Sequence, residues 1–207
     1  MKEKPILFSA PMVNAILEGR KSMTRRTVKP QPYIQDKSGL LVIETKKPLG
    51  NPPATIFRCN TSKLMNEWIE QMPCPYGNRG DRLWVKESYI LPKIWDTHKP
   101  SEVTPGTNIE YPATDIPFLL GKRRPGIFMC RWMSRITLEI IDIRVERLQD
   151  ITEDDALAEG VTGDEGPYDQ QTPRMCFETL WDSINGKKFP WSSNPRVLIR
   201  TFRRVDQ

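Results

Sequence analysis

Apolar positions along this chain come in short periodic stretches separated by long polar or proline-rich ones. Ile6-Leu7-Phe8 reads as a strand. Ser9 and Pro11 then open a helix whose Val13, Ile16 and Leu17 recur at helical spacing, and Gly19 ends it. Met23 to Val28 reads as extended, and the turn Gly77-Asn78-Arg79-Gly80-Asp81 feeds a strand over Arg82–Glu87. The longest strand-like segment is Ser134–Arg147. Its apolar residues alternate as Ile136, Leu138 and Ile140, then change phase to Ile141, Ile143 and Val145, which predicts a bulge or bend near Ile140. Thr152 caps an acidic first turn, Glu153-Asp154-Asp155, and Gly160 stops that helix after about two turns. Thr172-Pro173 opens another helix, with Phe177, Leu180, Trp181 and Ile184 on one stripe and Gly186 at its end. Pro195–Val205 supplies a closing strand.

Nineteen prolines among 207 residues interrupt this scheme. Many fall within Lys29–Pro75 and Pro92–Pro125, where regular elements would be broken repeatedly, so both stretches read as loop-rich. The predicted class is mainly β with short helices (α+β), a small, partly closed barrel with helices on its outside. One domain over 1–207 fits the length, with insertions at about 29–78, 89–131 and 161–194.

Composition narrows the classes. Hydrophobic residues at 38%, with six Trp and seven Phe, supply a core and argue against a disordered chain. No apolar run approaches the roughly 20 residues that cross a bilayer, and Met1-Lys2-Glu3-Lys4-Pro5 lacks the features of a signal peptide. No membrane partner and a cytoplasmic location are expected. Cys59, Cys74, Cys130 and Cys176 are scattered without a C-x-x-C pair and the single histidine is His98, so neither a metal site nor a cofactor is expected. Lys+Arg number 31 against 26 Asp+Glu, a net charge of +5. The cations cluster at Arg20-Lys21, Arg25-Arg26 and Lys122-Arg123-Arg124, with Arg131 and Arg135 following. Such clusters can contact phosphate, although solvated surface charge gives the same pattern.

The segment Gly19-Arg20-Lys21-Ser22-Met23-Thr24-Arg25-Arg26 carries the candidate chemistry. A helix end followed at once by a strand puts Lys21 in a turn and Thr24 in the strand. Side chains alternate along a strand, so a Lys21–Thr24 partnership requires the turn to extend to about Ser22. Threonine is a poor nucleophile until a base takes its proton, and a lysine serves only where burial or neighbouring cations weaken its hold on its own. Arg20, Arg25 and Arg26 could supply that charge; an ordinary solvated turn followed by a strand threonine fits the spacing equally.

The run Ile16-Leu17-Glu18-Gly19-Arg20-Lys21-Ser22-Met23-Thr24-Arg25-Arg26 resembles the opening signature of the ASCH family, whose members share a PUA-like β-barrel. Gly80-Asp81-Arg82-Leu83-Trp84-Val85, Ile151–Gly160 and Val197–Phe202 are similar to further family segments. The matches cover somewhat under half the chain, and the whole looks most like larger members carried by phages and prophages, placing it in a bacterial or phage-infected cell. The resemblance to the N4-acetylcytidine amidohydrolase branch implies a catalytic triad of Lys21, Thr24 and Glu159. Arg20, Arg26 and Trp84 are the candidate contacts to the substrate, a modified nucleoside. In that scheme Lys21 activates Thr24, an amide carbonyl is attacked, Glu159 handles protons for the leaving amine and Arg26 holds a carbonyl, phosphate or pyrimidine edge. Ser22 and Arg25 depart from the family pattern, Arg25 standing where the small amidohydrolases carry an apolar residue.

A different class fits the same resemblance, an RNA or modified-base binding module or a metal-independent ribonuclease. Trp84, Tyr89, Trp132 and Trp191 would then offer stacking surfaces, with core packing as the other reading of each. Lys122, Arg123, Arg124, Arg131 and Arg135 would track phosphates, giving binding that weakens steeply with salt. An interaction protein using the proline-rich stretches is the third class, and nothing in the sequence names its protein partner.

Overall fold

The computed structural model describes residues 1–29, 31, 33–34, 41–42, 77–116, 118–163 and 171–205. Most of the stretch 29–78, with Cys59 and Cys74, lies outside them. In chain order the described elements are β1 (Glu3–Leu7), α1 (Ala10–Leu17), β2 (Met23–Thr27), β3 (Tyr33–Ile34), β4 (Leu41–Val42), β5 (Arg82–Lys86), β6 (Tyr89–Ile90) and β7 (Arg123–Arg124). There follow β8 (Thr137–Arg147), α2 (Glu153–Ala158), α3 (Pro173–Asn185) and β9 (Arg196–Val205), with single 3-10 turns between elements. A five-stranded sheet has the order β1-β5-β8-β9-β2, and the class is mixed α and β with few helices. Two compact units share the chain. One comprises Met1–Ser22, Pro75–Ile141 and Phe202–Gln207, the other Met23–Cys74 and Asp142–Thr201, and β8 and β9 each contribute to both.

In the first unit β1 runs parallel to β5, with Ile6 opposite Val85, and β5 runs antiparallel to β8, with Leu83 opposite Leu138. Alternation puts Ile6, Leu83, Val85, Leu138 and Ile140 inside. Helix α1 buries Val13, Ala15 and Ile16. Gly19, at φ +77°, takes the left-handed conformation that lets the chain leave the helix, as the sequence predicts. The proline-rich stretch after β5 builds a core of its own from Tyr89, Leu91, Val103, Met129 and Met133, with Trp84, Trp95 and Trp132 packed against it. Tyr89 and Ile90 of β6 face Arg124 and Arg123 of β7.

At the rim of that core the Tyr111 hydroxyl donates to the Met133 carbonyl at 2.7 Å, and the Arg135 guanidinium lies 4.1 Å from the Tyr111 ring centroid. Burial pushes the phenol up to about 12, and Arg135 opposes that shift only in part. A raised phenol favours the fold below the unfolded tyrosine value of about 10, and that contribution is lost as pH rises through the folded value. Wild type is therefore expected to lose stability between about pH 10 and 12 relative to Tyr111→Phe. Denaturant titrations at stepped pH check this, and parallel curves for the two proteins would refute it.

The buried positions of β8 change phase, but of the expected second set Ile141, Ile143 and Val145 only Val145 is buried. Leu138 and Ile140 are buried, Ile141 and Asp142 are both exposed, and Val145 is buried again. The boundary between the units falls between Ile141 and Asp142.

In the second unit β2 pairs antiparallel with β9, Thr24 opposite Arg200 and Arg25 opposite Ile199. Met23, Leu148, Ile151, Ala156, Phe177, Trp181, Trp191, Val197 and Ile199 form its core. Thr152 caps α2 by accepting from the Asp155 amide at 3.1 Å, and Thr172 caps α3 by accepting from Met175 at 3.4 Å. Of the predicted α3 stripe, Phe177 and Trp181 are buried, whereas Ile184 is 55% exposed on the last turn. Gly186 keeps right-handed φ at −54°, so it ends the helix without the left-handed cap expected of a terminal glycine. Among the described residues no helix is long and apolar enough to cross a membrane.

Candidate functional site

Three consecutive residues of β2, Met23, Thr24 and Arg25, are only 7%, 4% and 5% exposed, so both faces of the strand are covered there. Covering both faces of a strand that carries an arginine demands a compensating charge on the side to which it points. Helix α2 supplies two. Asp155 and Glu159 are four residues apart and share a helix face, Glu159 standing at the C-cap. Arg25 divides its fork between them: Nη2 donates to Asp155 Oδ2 at 2.6 Å and Nη1 to Glu159 Oε1 at 3.3 Å. Nη1 also lies 3.1 Å from the sulfur of Met23, two residues back on the same strand face. Asp155 takes a second cation, Arg144, at 3.3 Å, and Arg144 in turn donates to Glu146 at 2.7 Å.

Thr24 thus occupies a buried strand position next to the arginine, and strand alternation directs it away from the face that carries Met23 and Arg25. The second unit brings together Arg25, Asp155 and Glu159, and it holds the Glu159 carboxylate in a buried ion pair.

Lys21 belongs to the first unit. Its amide donates to the Ala15 carbonyl at 2.9 Å, closing the turn after α1, and its side chain is 3% exposed. The ammonium lies 5.6 Å from the centroid of the Phe8 ring, within cation–π range. Lysine is among the residues least often buried to this extent. The regular strand begins at Met23, with Lys21 and Ser22 ahead of it.

The three residues assigned to substrate lie in different settings. Arg20 is exposed, and its Nε donates to Glu18 at 2.7 Å. Arg26 is half-buried on β2 opposite Leu198. Trp84 is half-buried on β5, with the Lys86 ammonium 5.2 Å from its ring centroid. Among the other aromatic candidates, Tyr89 at 0% and Trp191 at 7% exposure are packed in cores, while Trp132 is half-buried.

The basic cluster of the first unit divides. Lys122 and Arg123 are exposed. Arg124, the next residue of β7, points inward at 6% exposure and donates to the backbone carbonyls of His98, at 3.0 Å, and Trp95. Alternation along β7 is the reason, since two neighbours on a strand cannot share a face. Arg131 is bonded to Glu3 at 2.8 Å, which holds that carboxyl below its ordinary range. Arg135 makes a two-pronged contact with the buried Glu87 at 2.9 and 3.0 Å and donates to Thr114 at 2.8 Å. The five residues therefore do not make one continuous exposed face.

The sequence marks Arg25 as one of the cations near Lys21 and as a departure from the family pattern, and Asp155 only as part of an acidic first turn; it does not pair the two. The signal was present: two carboxylates at i and i+4 on a short acidic helix call for a cation, and Arg25 is a candidate in the motif segment. Among the described residues no group of three or more His, Cys, Asp or Glu could hold a metal ion. Compared with known proteins, no family model matches the chain, and no curated protein or solved structure does either.

Proposed function

We propose that the chain is an ASCH-type protein on a PUA-like, partly closed barrel, directed at a nucleoside or nucleic acid in a bacterial or phage-infected cytoplasm. Its reaction is hydrolysis of the acyl amide of an N4-acylated cytidine-like nucleoside. The observation that carries this reading is the burial of the three residues named by the motifs: Lys21 is 3% exposed, Thr24 4% and Glu159 5%. A lysine, a threonine hydroxyl and a glutamate kept from water are costly as structural parts and apt as chemical ones.

In the proposed reaction the amine of Lys21 takes the proton of the Thr24 hydroxyl, and that oxygen, or a water it positions, adds to the acyl carbonyl. The Glu159 carboxylate accepts the proton released on attack and passes it to N4 as the carbon–nitrogen bond breaks. One water is consumed, and cytidine and the carboxylic acid leave in equal amounts. Arg25 contributes by fixing the carboxylate of Glu159.

Purified protein incubated with N4-acetylcytidine is expected to release cytidine and acetate one for one. Thr24→Ala and Lys21→Ala should lower kcat about 100- to 10,000-fold, the worth of a positioned proton-transfer group. Circular dichroism of each variant separates lost chemistry from lost fold. Failure of the wild-type protein to release cytidine from N4-acetylcytidine or a longer N4-acyl analogue sinks the hydrolase reading, whatever RNA binding is then found.

A further inference from the structure

Thr24 shares its strand face with a second buried polar residue. Strands β2 and β9 are antiparallel, with Thr24 opposite Arg200 and Arg26 opposite Leu198. Directly opposed residues of such a pair project to the same side, and alternation keeps Arg26 there too. Met23, Arg25, Val197 and Ile199 take the other side, where Met23, Val197 and Ile199 belong to the core of the second unit. The carboxylates that Arg25 binds therefore serve that side, and the charge that the register sets against Thr24 is Arg200.

The separation is short. The Val28 amide donates to the Arg196 carbonyl at 3.1 Å, and hydrogen-bonded pairs recur at every second residue of an antiparallel ladder. That phase makes Thr24 and Arg200 a hydrogen-bonded pair, with Cα atoms about 5.5 Å apart, a distance that a long side chain spans. Arg200 is 0% exposed and Thr24 4%. Arg200 is engaged by the protein around it, so its charge is held in place. A guanidinium keeps its proton in a folded protein at any working pH. Thr24 thus stands beside a permanent positive charge with almost no water to screen it.

Negative charge has to develop on the Thr24 oxygen, or on a water it positions, when an acyl carbonyl is attacked. A cation already fixed beside that oxygen lowers the cost of the step, and most where water is excluded. An arginine with no exposed surface is ill placed to meet an incoming nucleoside, whereas Arg26, two residues along the same face and half-buried, is open to one. We infer that Arg200 is a positioning residue that acts through Thr24: its charge favours loss of the hydroxyl proton and steadies the oxygen that results, while contact with the substrate is left to Arg26. The inference rests on the hydrolase reading above and adds to it a division of labour between two arginines of one sheet face.

A double-mutant cycle in N4-acetylcytidine hydrolysis by the full chain tests it, with the fold of each variant checked by circular dichroism. Arg200→Gln should lower kcat about 100-fold and leave KM within about 3-fold of wild type. In a Thr24→Ala background the same change should take nothing further from the residual rate, because residues that act as a unit are not additive. Arg26→Gln should do the reverse and raise KM with kcat little altered. Arg200→Lys keeps the charge and should retain at least about a tenth of the wild-type kcat. Arg203→Gln, at a 67% exposed side chain further along β9, should leave both constants unchanged. If Arg200→Gln does not fold, the cycle is run with Arg200→Lys, whose smaller loss should likewise vanish without Thr24. Equal losses with and without Thr24, a loss carried by KM, a lysine no better than glutamine, or wild-type rates in Arg200→Gln would each overturn the inference while the hydrolase reading stands. A wild-type protein that leaves N4-acylated nucleosides intact removes both.

Discussion

Arg25→Ala is expected to destabilise the chain by about 3–5 kcal/mol, the largest loss foreseen for a charged residue here. The guanidinium side chain is 1% exposed and Glu159 is 5% exposed, so their pairing sits out of reach of the solvent screening that makes surface bridges nearly worthless. Truncation takes from two carboxylates the cation that compensates them. Asp155 is 17% exposed and bonded to Arg144 as well, so its own carboxylate is less costly to leave without Arg25. Asp155→Asn should therefore cost less than Arg25→Ala. Arg25→Lys should fall between them, because a point-charge ammonium on a shorter reach cannot serve both carboxylates with parallel donors. Urea unfolding followed by tryptophan fluorescence measures the series, Trp181 and Trp191 reporting on the second unit. A cost below about 1 kcal/mol for Arg25→Ala would mean the ion pair behaves as an exposed one, and the order Asp155→Asn above Arg25→Ala would reverse the assignment of the central cation.

The contrast between Arg25 and the helices around it marks what the amino-acid pattern can carry. Helix α1 is legible because its punctuation is local: Ser9 and Pro11 at one end, Gly19 with its positive φ at the other, and buried Val13 and Ile16 between. The phase change in β8 is legible for the same reason, since period-2 alternation is a property of neighbours. The fate of a charge is settled by chain far away. Arg25 meets Asp155 across 130 residues, and Arg124 turns inward because β7 pairs with β6. Those two strands are two residues long, too short to show a period, so the run Lys122-Arg123-Arg124 reads as one basic face in sequence and as two outward cations and one inward one in space. The proline-rich stretch 89–131 illustrates the same limit. Prolines rule out long regular elements there, correctly, but say nothing about the apolar residues between them, which gather into a core around Tyr89 and Leu91.

Trp181→Ala should cost about 3–5 kcal/mol, and its effect should reach the carboxylates that Arg25 binds. Trp181 is 3% exposed, its ring centroid is 6.2 Å from that of Phe177, and Phe177 lies 6.3 Å from Trp191. Its indole N–H donates to the Phe189 carbonyl at 2.8 Å, pinning the chain that follows α3. Alanine removes both the packed area and that bond, and neighbours anchored in three separate elements cannot all close over the space. Trp181→Phe keeps most of the area and loses the bond, so about 1–3 kcal/mol is expected from the unmet carbonyl and residual void. Ala156 of α2 belongs to the same cluster, so a hole at Trp181 loosens the helix that presents Asp155 and Glu159. Hydrogen exchange tests the link: the amides of Ala156 and Glu159, bonded to Thr152 and Asp155, should exchange faster in Trp181→Ala by a factor larger than amides of β5 in the other unit. Uniform acceleration across both units would mean that the mutation lowers global stability alone, and the proposed route from the α3 core to the Glu159 carboxylate would then be lost.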